Sequence, residues 1–147
     1  MNLVLDASVA LLWLAPQTNP AGVDYAASTL KALRQSQAVA PSLFAFEIAN
    51  VVTKLEYKEV VTEADSQRYI AVLERLDITV DQATAAHALG DTLNLARRYK
   101  LSAYNAAYLE LTLRTGLPLA TLDAGLAKAA TTAGVSIFGA PGFNQRH

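Results

Sequence analysis

Five short apolar runs punctuate this chain, and none is long enough to make a helix. They occupy residues 2–5 (NLVL), 37–40 (QAVA), 77–80 (DITV), 117–122 (LPLATL) and 135–138 (VSIF). Runs this short, bounded by polar and turn-forming residues, read as buried strands. Longer segments with helical periodicity separate them, and no hairpin turn signal joins any neighbouring pair. Strands that alternate with helices in this way build a parallel sheet covered by helices on both faces. The expected fold is therefore α/β, a three-layer α/β/α sandwich around a mainly parallel five-stranded sheet.

The helical segments are read at about 7–14, 21–34, 43–58, 62–76, 81–99, 102–115 and 124–132. Pro16 stops the first, and Thr62 with Asp65 has capping-box spacing at the start of the fourth. Asp81 and Ser102 stand at N-cap positions, and Gly116 and Gly134 follow helix ends. In the third segment Phe44, Ile48, Val51, Val52 and Leu55 recur at core spacing. A chain of 147 residues is the size of one domain. Residues 1–138 are assigned to it, with 139–147, rich in Gly and Pro, as a C-terminal tail. The 52% hydrophobic content supplies an ample core and leaves apolar helices, 21–34 and 43–58, as candidate faces of a homodimer.

The net charge of −1 argues against gripping nucleic acid through bulk positive charge, though not through a metal or a local basic groove. There is no cysteine, so thiolate metal sites and disulfides are excluded, which fits a cytoplasmic protein. Asp6 interrupts the first apolar run at once, as neither a signal peptide nor a membrane span allows.

Chemistry is sought at the carboxyl ends of the strands, where open parallel sheets bind ligands. Asp6 and Asp123 each stand at such an end. If their strands are neighbours, the two carboxylates face each other across one crevice. Each also precedes a helix and is a candidate N-cap. Ser8 and Thr121 lie two residues from these acids, placed either to hold a water or to close a local turn. Glu47 sits among Phe44, Phe46, Ile48 and Val51, and a carboxylate buried there needs a cation, a donor or a path to water. Asn105 falls three residues after Ser102, where a capping box is completed, and Glu110 points to another side of the same helix as a surface or pairing group. His87 and His147 have no partner at ligand spacing. Arg97, Arg98 and Lys100 form either a solvated helix end or a contact for phosphates. No glycine-rich phosphate loop, dinucleotide fingerprint or nucleophile elbow is present. An all-oxygen donor set of this kind suits Mg²⁺ or Mn²⁺.

Three stretches, LVLDASVALLWL at 3–14, PSLFAFEIANVV at 41–52 and ARRYKLSAYNAAYLELTLRTGLPLATLD at 96–123, together resemble the PIN-domain family. Within it they resemble the VapC-type ribonuclease toxins of toxin–antitoxin pairs. The resemblance implies an endoribonuclease that cuts RNA with Mg²⁺ or Mn²⁺ held at Asp6, Glu47, Asn105 and Asp123, with Thr121 positioning water. It also implies a cognate antitoxin protein covering the site. The family motif carries Asp where this chain has Asn105, so a non-catalytic module that binds RNA or an antitoxin is the alternative reading. A strand-end Asp also opens one phosphatase superfamily, but its nucleophile motif requires a second Asp where this chain has Ser8.

Overall fold

The computed structural model describes residues 2–139. The tail expected over 139–147 lies, apart from Gly139, outside the described residues. The sheet has four strands, β1 (Leu3–Leu5), β2 (Ala38–Ala40), β3 (Ile78–Val80) and β4 (Leu119–Ala120), in the order β3-β2-β1-β4. Every pairing is parallel, with Leu3 opposite Ala38, Val39 opposite Thr79 and Val4 opposite Leu119. Leu3, Val4 and Leu5 have no solvent exposure, as expected for a central strand covered on both faces.

The fifth strand expected at 135–138 is not part of this sheet. That segment runs beside β4 and makes one bridge, Leu119 with Ile137, held by Leu119 N–H to Ser136 O (2.9 Å) and Phe138 N–H to Leu119 O (2.8 Å). Its partner β4 has only two ladder residues, because the chain beyond Ala120 turns its polar groups toward side chains at the sheet edge. A longer ladder has nothing to pair with.

Among the described residues eight α-helices flank the sheet: α1 (Ala7–Ala10), α2 (Val23–Ala32), α3 (Phe44–Tyr57), α4 (Glu63–Arg75), α5 (Thr84–His87), α6 (Leu93–Tyr99), α7 (Ala103–Thr115) and α8 (Ala124–Thr132). The first predicted helix gives way at Leu11 to a 3₁₀ turn through Trp13, and two further 3₁₀ turns at Pro16–Thr18 and Pro20–Gly22 fill the expected loop. Gly22 lets the chain pack closely there, since a Cβ would come within 2.7 Å of Leu122 Cδ1 and push that side chain aside. α3 buries Phe44, Ile48, Val52 and Leu55, a single stripe at helical spacing. The Thr62 capping box at α4 forms in both directions.

The long helix predicted over 81–99 is interrupted. α5 and α6 are joined by a π-helical turn, Ala88–Thr92, and the N-cap of α5 is Ala83 rather than Asp81. A π turn accommodates one extra residue, and the sequence around it (Ala-Ala-His-Ala-Leu-Gly) offers small side chains that do not resist the local widening. Asp81 is drawn elsewhere. Its carboxylate accepts from the Thr84 hydroxyl (2.8 Å) and from both terminal nitrogens of Arg114 (3.0 and 2.7 Å). Arg114 also holds the buried Glu110 through Nε (2.8 Å) and Nη2 (2.9 Å), so Glu110 is a pairing group and not a surface one. This pairing holds the Asp81 carboxyl down at about 2, below the usual carboxylate range, with the Arg114 hydrogen bonds as the largest cause.

Candidate functional site

Strand order decides the first question. β1 and β4 are neighbours, so Asp6 and Asp123 stand at adjacent carboxyl ends, as the crevice reading requires. Asp6 is the N-cap residue of α1 by position, yet its carboxylate makes no capping bond. It lies almost fully buried, 4% exposed, and its Oδ2 accepts from the hydroxyls of Ser8 (2.6 Å) and Thr121 (2.7 Å). Burial, with the nearby Asp123 charge, raises its pKa against the lowering effect of those two hydroxyls. A carboxylate held this way is positioned for something other than its own helix.

Asp123 does both jobs. Its Oδ1 accepts from Leu126 N–H (2.8 Å), capping α8, while its Oδ2 faces the side-chain amide of Asn105, whose Nδ2 donates at 3.4 Å. Asn105 sits in the first turn of α7. Its backbone N–H is capped by Ser102 Oγ at 3.1 Å. The capping box has only that one arm, since the Asn105 side chain reaches across to Asp123 instead.

Ser8 and Thr121 knit the two strand ends. Ser8 Oγ accepts from Leu122 N–H (2.9 Å) while donating to Asp6, and Thr121 Oγ1 accepts from Asp123 N–H (3.0 Å) while donating to the same oxygen. With its proton on Asp6, the Thr121 hydroxyl orients a carboxylate.

Glu47 rises from the early turns of α3. Its surroundings are less apolar than the sequence indicates, because Phe46 turns out to solvent and is 80% exposed. The donor it needs is Tyr108 of α7, fully buried, whose hydroxyl donates to Glu47 Oε1 at 2.6 Å. Burial and then the Asp6 charge raise the Glu47 pKa, and this bond opposes them. The Tyr108 hydroxyl is itself held well above the usual phenol range, chiefly by burial, so it remains a donor. Sequence reasoning missed Tyr108. Its spacing three residues after Asn105 placed it near the same helix face, but nothing in the chain connects it to Glu47.

Asp6 thus lies within electrostatic reach of both Glu47 and Asp123, and Asn105 joins the set through Asp123. Such a set of oxygens suits a hard divalent cation, which relieves the mutual repulsion that a metal-free pocket carries. It is an open arrangement. Among the described residues no group of three or more His, Cys, Asp or Glu side chains stands close enough to enclose an ion. Mg²⁺ binds through one or two carboxylates with waters completing its shell, so an open set is compatible with it.

The chain belongs to the PIN domain family: the PIN domain model matches residues 3–131, a span that takes in the parallel sheet, the carboxylates at the ends of β1 and β4, and Glu47 on α3. A curated relative, Ribonuclease VapC3 of Pyrobaculum aerophilum, is 27% identical over 128 residues, spanning 87% of this chain and 94% of that protein. This likeness supports the VapC-type resemblance. The crystal structure of PAE2754 from the same organism superposes with a TM-score of 0.61 at 22% identity, covering 88% of this chain and 87% of that one. VapBC2 from Rickettsia felis, solved bound to a DNA fragment from its promoter, gives 0.58 at 15% identity over 84% and 88% of the two chains. Both structures bear on the fold. Among the described residues no helix is long and apolar enough to cross a membrane.

Proposed function

We propose that this chain is a metal-dependent endoribonuclease acting as the toxin of a toxin–antitoxin pair. The observation that carries the reading is Asp6, a buried carboxylate held by two hydroxyls, excused from capping its own helix and set beside Asp123. Asp6 with one of its acidic neighbours, Asp123 or Glu47, would hold Mg²⁺ or Mn²⁺ directly, the other carboxylate and the Asn105 carbonyl reaching it through water. The ion supplies charge neutralisation and an activated water for hydrolysis of an RNA phosphodiester. The chain's own groups do the rest. Ser8 and Thr121 fix the Asp6 oxygen, Tyr108 fixes Glu47, and the cap on α8 fixes Asp123. The likeness to VapC3, and to a VapBC2 assembly, supports RNA as substrate and a small antitoxin as partner.

Asn105 favours a second reading, in which the fold binds RNA or antitoxin without cutting. Its amide donates to Asp123 and removes one charge from the pocket. A ribonuclease assay in Mg²⁺ and in Mn²⁺ separates the two. Cleavage by the parent chain that disappears in Asp6→Ala supports the enzyme. RNA binding without cleavage supports the module, and equal cleavage by Asp6→Ala points to a contaminating nuclease.

A further inference from the structure

Two large aromatic rings stand in solvent, each one residue before a side chain assigned above to the acidic pocket. Phe46, 80% exposed, precedes Glu47 in the first turns of α3, and Tyr104, 64% exposed, precedes Asn105 in the first turn of α7. Adjacent residues on a helix project about 100° apart, so each ring leaves its helix in a different direction from the acid or amide that follows it. The Tyr108–Glu47 hydrogen bond ties the same two helices together, so both rings are carried by the pair of helices that bears Glu47 and Asn105. Neither ring serves the core. The buried stripe of α3 is Phe44, Ile48, Val52 and Leu55, and α7 buries Ala106 through Thr112.

The chain just before Tyr104 is basic. Arg97, Arg98 and Lys100, at the end of α6, are all exposed, and none is ion-paired among the described residues. Arg98 lies over the Tyr99 ring, 5.5 Å from its centroid, and Arg97 reaches Asn94. The whole chain carries a net charge of −1, so this concentration of cations is local. Exposed rings interleaved with unpaired cations are the means by which single strands are held: bases stack on the rings and phosphates follow the cations.

We propose that Phe46 and Tyr104 are stacking platforms for unpaired bases next to the phosphate presented to the pocket, with Arg97 and Lys100, which precede Tyr104 in the chain, meeting the backbone. The ligand is single-stranded RNA; a duplex keeps its bases stacked on one another and gives the rings nothing to take. This assignment rests on the nuclease reading above and adds the residues that select strand state.

The test is fluorescence anisotropy with a labelled oligouridine about ten nucleotides long and a matched duplex. Ca²⁺ replaces Mg²⁺, and strand integrity is followed on a gel. The expected result is preference for the single strand and about a tenfold loss of affinity in each of Phe46→Leu and Tyr104→Leu. Arg97→Gln and Lys100→Gln each lower the salt slope by about 0.7. Tyr57→Leu is the control. Tyr57 is 90% exposed on the same helix as Phe46, about 16 Å further along its axis, and its loss leaves affinity unchanged. Parent-like RNA binding by both ring variants overturns the stacking assignment while leaving the nuclease reading intact. An altered oligomeric state with unaltered RNA affinity, read by light scattering, overturns it in favour of a protein interface. An equal loss in Tyr57→Leu makes the effect general stickiness and overturns it too. Failure of the parent to bind either RNA defeats the nuclease reading itself.

Discussion

Placing a carboxylate at position 105 separates fold stability from metal affinity. In the parent, Asn105 Nδ2 donates to Asp123 Oδ2 at 3.4 Å. Asn105→Asp removes that bond and sets two carboxylates against each other. Unit charges at that distance repel by about 5 kcal/mol at an effective dielectric near 20. Both side chains are partly exposed and the charges are delocalised, so about 2 kcal/mol is the expected net loss in the metal-free protein. For a domain of this size that lowers Tm by about 6 °C in EDTA. The introduced carboxyl has a raised pKa in the folded state. The loss is therefore absent below the ordinary carboxylate range and appears as pH rises through the raised value. With Mn²⁺ the order reverses, because the same repulsion becomes attraction to the cation, and about 2 kcal/mol corresponds to roughly 30-fold tighter binding. The assay is thermal denaturation in EDTA and across a Mn²⁺ titration, with RNA cleavage followed in parallel. Equal Tm in EDTA, together with an unchanged response to Mn²⁺, would show that position 105 does not face the metal pocket.

Tyr108→Phe keeps the buried ring and deletes the donor to Glu47, which should lower stability by about 2 kcal/mol and weaken Mn²⁺ binding by calorimetry. Loss of stability with unchanged metal affinity would mean that Glu47 is not a ligand. Arg114→Met strands Glu110 and frees Asp81, and should lower stability by about 3 kcal/mol near neutral pH. The folded Asp81 carboxyl lies low, at about 2, so its contribution is present above the ordinary carboxylate range and fades as pH falls through about 2. The Tm gap between parent and Arg114→Met should narrow on acidification, and a gap independent of pH would refute the Asp81 pairing.

Much of the frame was legible from short-range patterning. Apolar runs without hairpin signals specified a parallel sheet, and the Thr62 and Ser102 caps were visible because capping bonds span only three residues. The acids at the ends of β1 and β4 stood out for the same reason. What escaped depended on contacts between distant segments. The Glu47–Tyr108 bond links residues 61 apart, and the Arg114–Asp81 bridge links residues 33 apart, and no local pattern encodes either. Phe46 is a neighbour of Glu47 in sequence but not in the core, because the helix turns it away from the buried stripe. The fifth strand failed on ladder length, and the helix over 81–99 on a π turn among alanines that leave no periodic signature.

The hydroxyl seam between Ser8, Asp6 and Thr121 has a consequence for how such a site can change. β4 is two residues long and ties into β1 through few backbone bonds, so much of the cohesion of that edge runs through the Asp6 carboxylate and the groups that donate to it. Substituting Asp6 unpicks an edge of the sheet as well as the pocket. Position 105 carries no such burden: its backbone is capped by Ser102 whatever its side chain, and among the described residues its amide hydrogen-bonds to Asp123. Of the four positions proposed for the pocket it is the one where charge can be withdrawn with least disturbance to the chain.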